Sequence, residues 1–221
     1  TDEVAQKIMD KISIEDGKTG NSVYFKTKMK GESNNSGTHK KGEYKEQSMK
    51  IDYLVYMHST NILEANNQFG PMSLPDYKGE VDLESKFGSL TTGRLMNVKR
   101  VSVEFGKADI AHQNNGKLTI KFSKGTIGSL SGNVDLLIEF CDKIKIGLSN
   151  ELKDFNLKTN YSSVYLDASN NLSAYFDIHT NFGEFKNKTS FPILEEKSGS
   201  EQHGPKFDKD YSGKAGTGSN K

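Results

Sequence analysis

A short recurring unit constrains the fold of this chain more than any other feature of its sequence. Each copy ends in an aromatic residue followed by a small or polar residue, and successive aromatics are separated by 18, 18, 17, 18, 21 and 21 residues. Self-similarity at such a period is typical of solenoids, in which each repeat contributes one turn. The seven aromatics are Phe69, Phe87, Phe105, Phe122, Phe140, Tyr161 and Phe182.

The residues before each aromatic alternate in the manner of a β-strand. One such unit cannot bury its own apolar face, but parallel stacking of units about 4.8 Å apart pairs every strand and creates a continuous core. The pattern therefore predicts an all-β fold, a right-handed parallel β-helix of roughly nine coils, because parallel crossovers are almost always right-handed. Apolar residues recur four positions before the aromatics, at Ala65, Leu83, Val101, Leu118, Leu136, Leu157 and Ile178.

The same register predicts where two sets of side chains point. Because each aromatic lies an even number of residues after an inward position, we expect the seven aromatics to stack in one column inside the core. The residue before an aromatic should then face the solvent. In four consecutive coils this residue is charged with alternating sign, which predicts an exposed ladder of stacked ion pairs. Its members are Lys86, Glu104, Lys121 and Glu139.

The chain is predicted to be a single β-helix domain. Residues 1–48 read as an N-terminal cap and mobile loop, 49–194 as the repeat core and 195–221 as a loose final coil or tail. Helical spacing within residues 1–14 predicts a short helix that covers the first coil, and alternation over 49–57 predicts an additional strand. A terminal coil leaves unpaired backbone groups, so we expect any contact between copies to be end to end, through the C-terminal coil.

Composition limits the classes of function. The chain has 30 basic and 29 acidic residues, and this balance argues against a nucleic-acid partner. Cys141 is the only cysteine, so the chain can form no internal disulfide and no cysteine-based zinc site. None of the five histidines is spaced as a metal ligand, and we expect them to be solvated. No transmembrane segment, metal or other cofactor is expected.

The unit from Val81 to Leu90, which reads apolar-x-apolar-x-polar-x-Phe-Gly-x-apolar, resembles the bacterial adhesin family of β-strand repeats. It is also similar to the related head domain of autotransporter adhesins of Bacteroidetes. The resemblance covers residues 49–190, and Tyr53 to Leu74 is similar to the beginning of that family's repeats. It implies an exported, extracytoplasmic protein of the periplasm, outer membrane or cell surface, with no catalytic residues to transfer. The first residue is Thr1, and we expect an export signal to have been removed.

One surface patch is a candidate site for chemistry. Stacking places Glu64, Asp82 and Arg100 on neighbouring coils, where a carbohydrate-active enzyme with a β-helix fold would need clustered carboxylates. A solvated charged face explains the same residues. The first hypothesis is therefore a non-catalytic, adhesin-like binding or scaffold protein whose envelope ligand is a glycan or a protein. The alternatives are a polysaccharide lyase or glycosidase, and an envelope-sensing module for a partner protein.

Overall fold

The computed structural model describes residues 2–29, 51–196 and 208–216 of the chain. The chain divides into two compact units, Thr1–Tyr53 and Leu54–Lys221, which are described separately. The predicted loop over 31–48 lies outside the described residues.

The first unit contains a short helix and a β-hairpin. Helix α1 spans Asp2–Met9, and strands β1 (Ile12–Thr19) and β2 (Ser22–Met29) pair antiparallel. The helical prediction for residues 1–14 is wrong in its second half, because Ile12 and Ile14 belong to β1. Their β-branched side chains favour a strand, and a turn at Gly20, with φ of +59°, reverses the chain. The contact of this segment with the first coil stays a prediction.

The second unit contains all the remaining strands of the described residues. Most of them form one parallel sheet, in the order β10-β9-β8-β7-β6-β5-β3, with β4 paired to β6. Their bounds are β3 Leu63–Gln68, β4 Met72–Leu74, β5 Tyr77–Lys86, β6 Ser89–Glu104, β7 Lys107–Lys121, β8 Lys124–Glu139, β9 Ile144–Asn160, β10 Val164–Ala168, β11 Ala174–Asn181, β12 Ile193–Glu195 and β13 Asp208–Ala215.

The parallel sheet winds into a β-solenoid of about six turns, which confirms the predicted all-β solenoid with coils about 18 residues apart. In β6, β7 and β8 a single long strand makes up most of a coil, and the register runs Val101↔Leu118 and Leu118↔Leu136 between neighbouring coils. The predicted count of nine coils is wrong because both ends of the unit depart from the repeat. The handedness of the coil stays a prediction.

The apolar residues two and four positions before the aromatics form the core in the central coils. Val101, Val103 and Ile120 are completely buried, and Leu118 and Leu136 are almost so. Removing these side chains from water is the main stabilising term of the solenoid, at about 25 cal/mol per Å² of apolar surface.

The prediction that the repeat aromatics line the core is wrong. Phe105 and Phe122 are each 47% exposed. The alternation that points Val103 inward fails two residues later because Phe105 has a φ of +53°, in the left-handed region. The backbone turns at the aromatic, so that its side chain swings outward and the following small residue occupies the inside of the corner.

The C-terminal part of the unit leaves the repeat. Strand β13 pairs antiparallel with β11 on one side and β12 on the other. The predicted loose packing of 195–221 is therefore wrong for residues 208–215, which include the buried Tyr211 and Ala215. Phe182 follows β11, so its unit belongs to this antiparallel sheet and not to the parallel one. Residues 197–207 and 217–221 lie outside the described ranges.

At the N-terminal end of the unit, the strand predicted over 49–57 is absent from residues 51–57, which are the part of it that the structure describes. Residues 51–58 have no regular secondary structure. The alternation was nonetheless real in the sequence. Val55 and Met57, which belong to the alternating set, are 55% and 39% exposed, so packing of apolar side chains does not hold the segment as a strand.

Candidate binding surface

The corner of each coil is built from the aromatic and the residue after it. The seven repeat aromatics all have left-handed backbone conformations, with φ between 48° and 64°. In two coils the next residue carries a hydroxyl that joins neighbouring coils. Ser123 Oγ accepts a hydrogen bond from the Gly106 amide at 3.0 Å, and Ser162 Oγ accepts one from the Cys141 amide at 2.9 Å. The corners are thus tied together by hydrogen bonds beneath the aromatic side chains.

Six of the aromatic rings form a continuous stack on the outside of the solenoid. Neighbouring ring centroids lie 4.7 to 5.3 Å apart, with interplanar angles between 0° and 16°. The rings remain between 47% and 87% exposed. Stacking covers their faces, so the interior rings present mainly their edges to the solvent. We call these six residues the aromatic ladder: Phe69, Phe87, Phe105, Phe122, Phe140 and Tyr161.

One side of the aromatic ladder is bordered by charges that neutralise one another. Lys86 lies 3.8 Å from Glu104, and Lys121 lies 2.7 Å from Glu139. Hydrogen bonds from Lys121 and then from Asn160 lower the pKa of Glu139. These residues are the ladder of alternating charge expected from the sequence; they are half-buried instead of fully exposed, and ion pairs near a surface add little to stability.

The candidate patch is a network of ion pairs. Arg100 Nε lies 2.8 Å from Asp82 Oδ1, and Lys99 Nζ lies 3.4 Å from Asp82 Oδ2. Arg100 also reaches Glu84, at 3.5 Å. Glu64 lies beside Asp82 in the strand register, so the structure brings the three predicted residues to neighbouring coils. The sequence reasoning missed Glu84 and Lys99, which face the same side of the sheet.

The electrostatics of this network do not suit a general acid. A hydrogen bond from Lys86, reinforced by the charges of Lys86 and Arg100, lowers the pKa of Glu84. A carboxyl group that donates a proton to a glycosidic oxygen needs a raised pKa instead. The network therefore favours the ionised form of Glu84, and it pairs both Asp82 and Glu84 with cations.

The other side of the aromatic ladder carries lysines that do not alternate with acids. Lys107 and Lys124 are paired in register on neighbouring coils, and Lys143 holds the corresponding place in the next coil, before Ile144, which pairs with Gly125. Lys145 follows two residues after Lys143. We call these four residues, Lys107, Lys124, Lys143 and Lys145, the basic row. All of them are exposed.

A buried histidine is the polar feature that sequence reasoning placed wrongly. His112 was expected to be solvated but is only 8% exposed. Its Nδ1 lies 2.6 Å from Ser129 Oγ and its Nε2 lies 3.1 Å from Ser131 Oγ, and both serines belong to the next coil. Burial, together with the charge of Arg94, lowers the pKa of His112, while the charge of Glu151 opposes the shift. His58 and His179 are exposed, as expected, and His39 and His203 lie outside the described residues.

Within the described ranges, no group of three or more His, Cys, Asp and Glu side chains is arranged to hold a metal ion. No helix in that part of the chain is long and apolar enough to cross a membrane. No family model, curated protein or solved structure matches this chain.

Proposed function

We propose that the protein is a non-catalytic, adhesin-like binding solenoid of the bacterial cell envelope, which engages an extracellular ligand through its outer face. The aromatic ladder carries the proposal. Its phenyl and phenol rings form a contiguous apolar ridge across successive coils, bordered by charged residues. Contiguous exposed apolar surface of this kind marks interaction sites, because leaving it in water costs free energy that a partner would recover.

The regular geometry of the ridge also supports a binding role. Each ladder residue adopts a left-handed backbone that costs about 1–2 kcal/mol for a residue other than glycine. Stacking offsets part of this cost, at about 0.5–1.5 kcal/mol for each pair of rings. Smaller residues would form the same corner without exposing apolar surface. A ligand that contacts the ridge gives a reason for keeping large rings at these positions.

The residues of the outer face give less support to the alternative that the protein is a carbohydrate-active enzyme. Its carboxylates Asp82 and Glu84 are engaged by Arg100 and lysines, and the pKa of Glu84 is lowered where an acid catalyst needs it raised. Binding of a ligand without chemistry fits this electrostatic setting better.

The intact chain is to be tested on arrays of glycans and extracellular matrix proteins, and in depolymerisation assays on the polysaccharides that it binds. We expect binding without cleavage, and loss of binding in Phe122→Ser. The matched control is Phe25→Ser, which removes a ring of comparable exposure, 56% against 47% for Phe122, from the hairpin of the first unit. Cleavage of a bound polysaccharide, or binding that Phe122→Ser leaves intact, contradicts the proposal. The location of the protein is tested separately, by treating intact cells of the source bacterium with a protease. We expect the chain to be cleaved while cytoplasmic proteins remain intact.

A further inference from the structure

The basic row is electrostatically unfavourable in the protein by itself. Lys107 and Lys124 stand directly opposite each other on adjacent strands, and like charges in that position destabilise a sheet. Asp109 offsets Lys107, with Nζ 2.5 Å from Oδ2. Lys124, Lys143 and Lys145 have no carboxylate within ion-pair distance in the part of the chain that the structure describes. Asp142 precedes Lys143, and Asp167 lies on the strand next to Lys145, but neither is within ion-pair distance of these lysines.

The opposite border of the aromatic ladder shows that this repeat can avoid such a conflict. There the lysines alternate with Glu104 and Glu139 on successive coils, and the charges neutralise one another across the strands. The two borders share the same strand spacing, but the alternating border is half-buried whereas the basic row is exposed. The sequence supplies acidic partners on the first border, and on the second, within the described residues, it leaves Lys124, Lys143 and Lys145 without an ion-pair partner.

The aromatic ladder adds to the positive potential beside the basic row. An aromatic ring has a negative face and a positive edge. Phe105, Phe122 and Phe140 cover their faces by stacking on one another, with interplanar angles of 2° and 0°, and so direct their edges outward. Ring edges and ammonium groups thus form two parallel positive stripes along the axis of the solenoid.

We propose that this strip binds a linear anionic polysaccharide that lies along the solenoid axis. The ammonium groups would contact its carboxylates or sulfates, and the hydroxyl and ring oxygens of its sugars would face the positive ring edges of the aromatic ladder. An extended anionic glycan carries its acidic groups at regular intervals, and these can follow coils that recur about every 4.8 Å. This inference rests on the proposed binding function and names its ligand class.

A single-stranded nucleic acid fits the strip less well. Proteins that bind single strands offer aromatic faces on which the bases stack. Here the faces of the interior rings are already occupied by neighbouring rings. The polyanion that fits carries negative charge and has no planar bases that must stack on a free ring face.

The test uses the intact chain, with polygalacturonate and heparin as anionic probes, dextran as the neutral probe and poly(dT) as the nucleic acid. The variant Lys124→Gln/Lys143→Gln/Lys145→Gln removes three charges from the basic row. The matched control, Lys117→Gln/Lys153→Gln/Lys158→Gln, removes three exposed charges elsewhere on the same unit. Affinities are measured by biolayer interferometry at low and at physiological salt.

We expect binding to at least one anionic polysaccharide, no binding to dextran, and affinity that falls with added salt. The affinity of the row variant for the anionic polysaccharide should fall by about tenfold or more. The affinity of the control variant should stay within about threefold of that of the unaltered chain. The unfolding temperature of the row variant at low salt should be unchanged or higher, because the substitutions relieve repulsion. This readout separates lost binding from lost folding.

Three results would overturn the inference: no binding to either anionic polysaccharide, equal losses in the row variant and the control, or tighter binding of poly(dT) than of both polysaccharides. None of these contradicts a binding function for the aromatic ladder. Conversely, cleavage of polygalacturonate by a chain whose binding depends on the row would contradict the proposed non-catalytic function and leave the ligand class standing. The two proposals can therefore fail separately.

Discussion

At the residue scale, the aromatic at each corner decides how the coil closes. Its left-handed backbone breaks the alternation that the preceding residues set up, so that a side chain expected in the core stands on the surface. The sequence reasoning extended the period of two by one step too far. The small residue that follows each aromatic was the available signal, because in the central coils it is this residue, such as Ser123 or Cys141, that is buried in place of the ring.

Replacing Phe105 with alanine tests this placement. The substitution removes two stacking contacts, to Phe87 and Phe122, each worth about 0.5–1.5 kcal/mol. We expect a loss of about 1–3 kcal/mol in the free energy of unfolding, measured by urea denaturation. Leu118→Ala, which empties a buried site, should cost about 2–5 kcal/mol. A Phe105→Ala loss larger than that of Leu118→Ala would place the ring in the core after all.

His112 makes the stability of the solenoid sensitive to acid. Because burial lowers its pKa in the folded state, the neutral imidazole is favoured by folding, and this stability is fully present above the pKa of the unfolded chain, about 6.5. It is lost progressively as the pH falls from there towards the lower folded pKa. Denaturation at a series of pH values should therefore show a fall that is smaller in His112→Gln.

The exposed His58 provides the control for this titration. His58→Gln should keep the decline of the unaltered chain over the same pH interval. An unchanged slope in His112→Gln would mean that other groups account for the acid sensitivity.

At the scale of elements, the repeat predicts the parallel strands well and the ends poorly. Equal spacing of 17 or 18 residues from Phe69 to Phe140 implies equal coils, and the Asp82–Arg100 contact follows from it. A longer spacing of 21 residues first occurs at Tyr161, which still stacks on Phe140, and the next unit, which ends at Phe182, leaves the parallel sheet. The unit ending at Phe182 has the local pattern of a coil but pairs with β13, a partner about 30 residues away that no local pattern reveals.

Strand β13 should be among the better protected parts of the C-terminal region. As the central strand of its sheet, it is hydrogen-bonded on both sides, to β11 and β12. We expect its amides, measured by hydrogen–deuterium exchange with mass spectrometry, to exchange more slowly than those of residues 54–57, which have no regular structure. Equal exchange rates in the two segments would mean that β13 is part of a loosely packed tail, as the sequence predicts.

At the scale of the whole second unit, stacking converts a repeat in the sequence into stripes on a surface. Each position in the coil becomes a line of side chains along the solenoid axis. The aromatic ladder therefore lies between two such lines, the ladder of alternating charge on one side and the basic row on the other. Lys107 and Lys124 follow their aromatics by two residues and Lys143 by three, because Asp142 is an extra residue in that coil. This irregularity hid the basic row from reasoning that used a fixed offset.

All of these surface lines depend on parallel, in-register stacking of the coils, which a disulfide between neighbouring coils tests most directly. Asp135 and Asn156 are register partners 21 residues apart, and both are exposed. In a Cys141→Ser background, which places at this corner the serine that Ser123 supplies in the preceding coil, Asp135→Cys/Asn156→Cys should oxidise to an intramolecular disulfide. Register partners on adjacent strands have Cα atoms about 4.8 Å apart, inside the range of about 4.4–6.8 Å for a disulfide.

The control pair Asp135→Cys/Lys158→Cys is displaced by two residues along the strand, which places its Cα atoms beyond about 7 Å and disfavours bridging. Peptide mapping by mass spectrometry after mild oxidation gives the answer. The structure predicts a cross-linked peptide containing positions 135 and 156, and little or none joining 135 to 158. Efficient cross-linking of the displaced pair, or none of the register pair in a folded monomer, would contradict the stacked parallel solenoid.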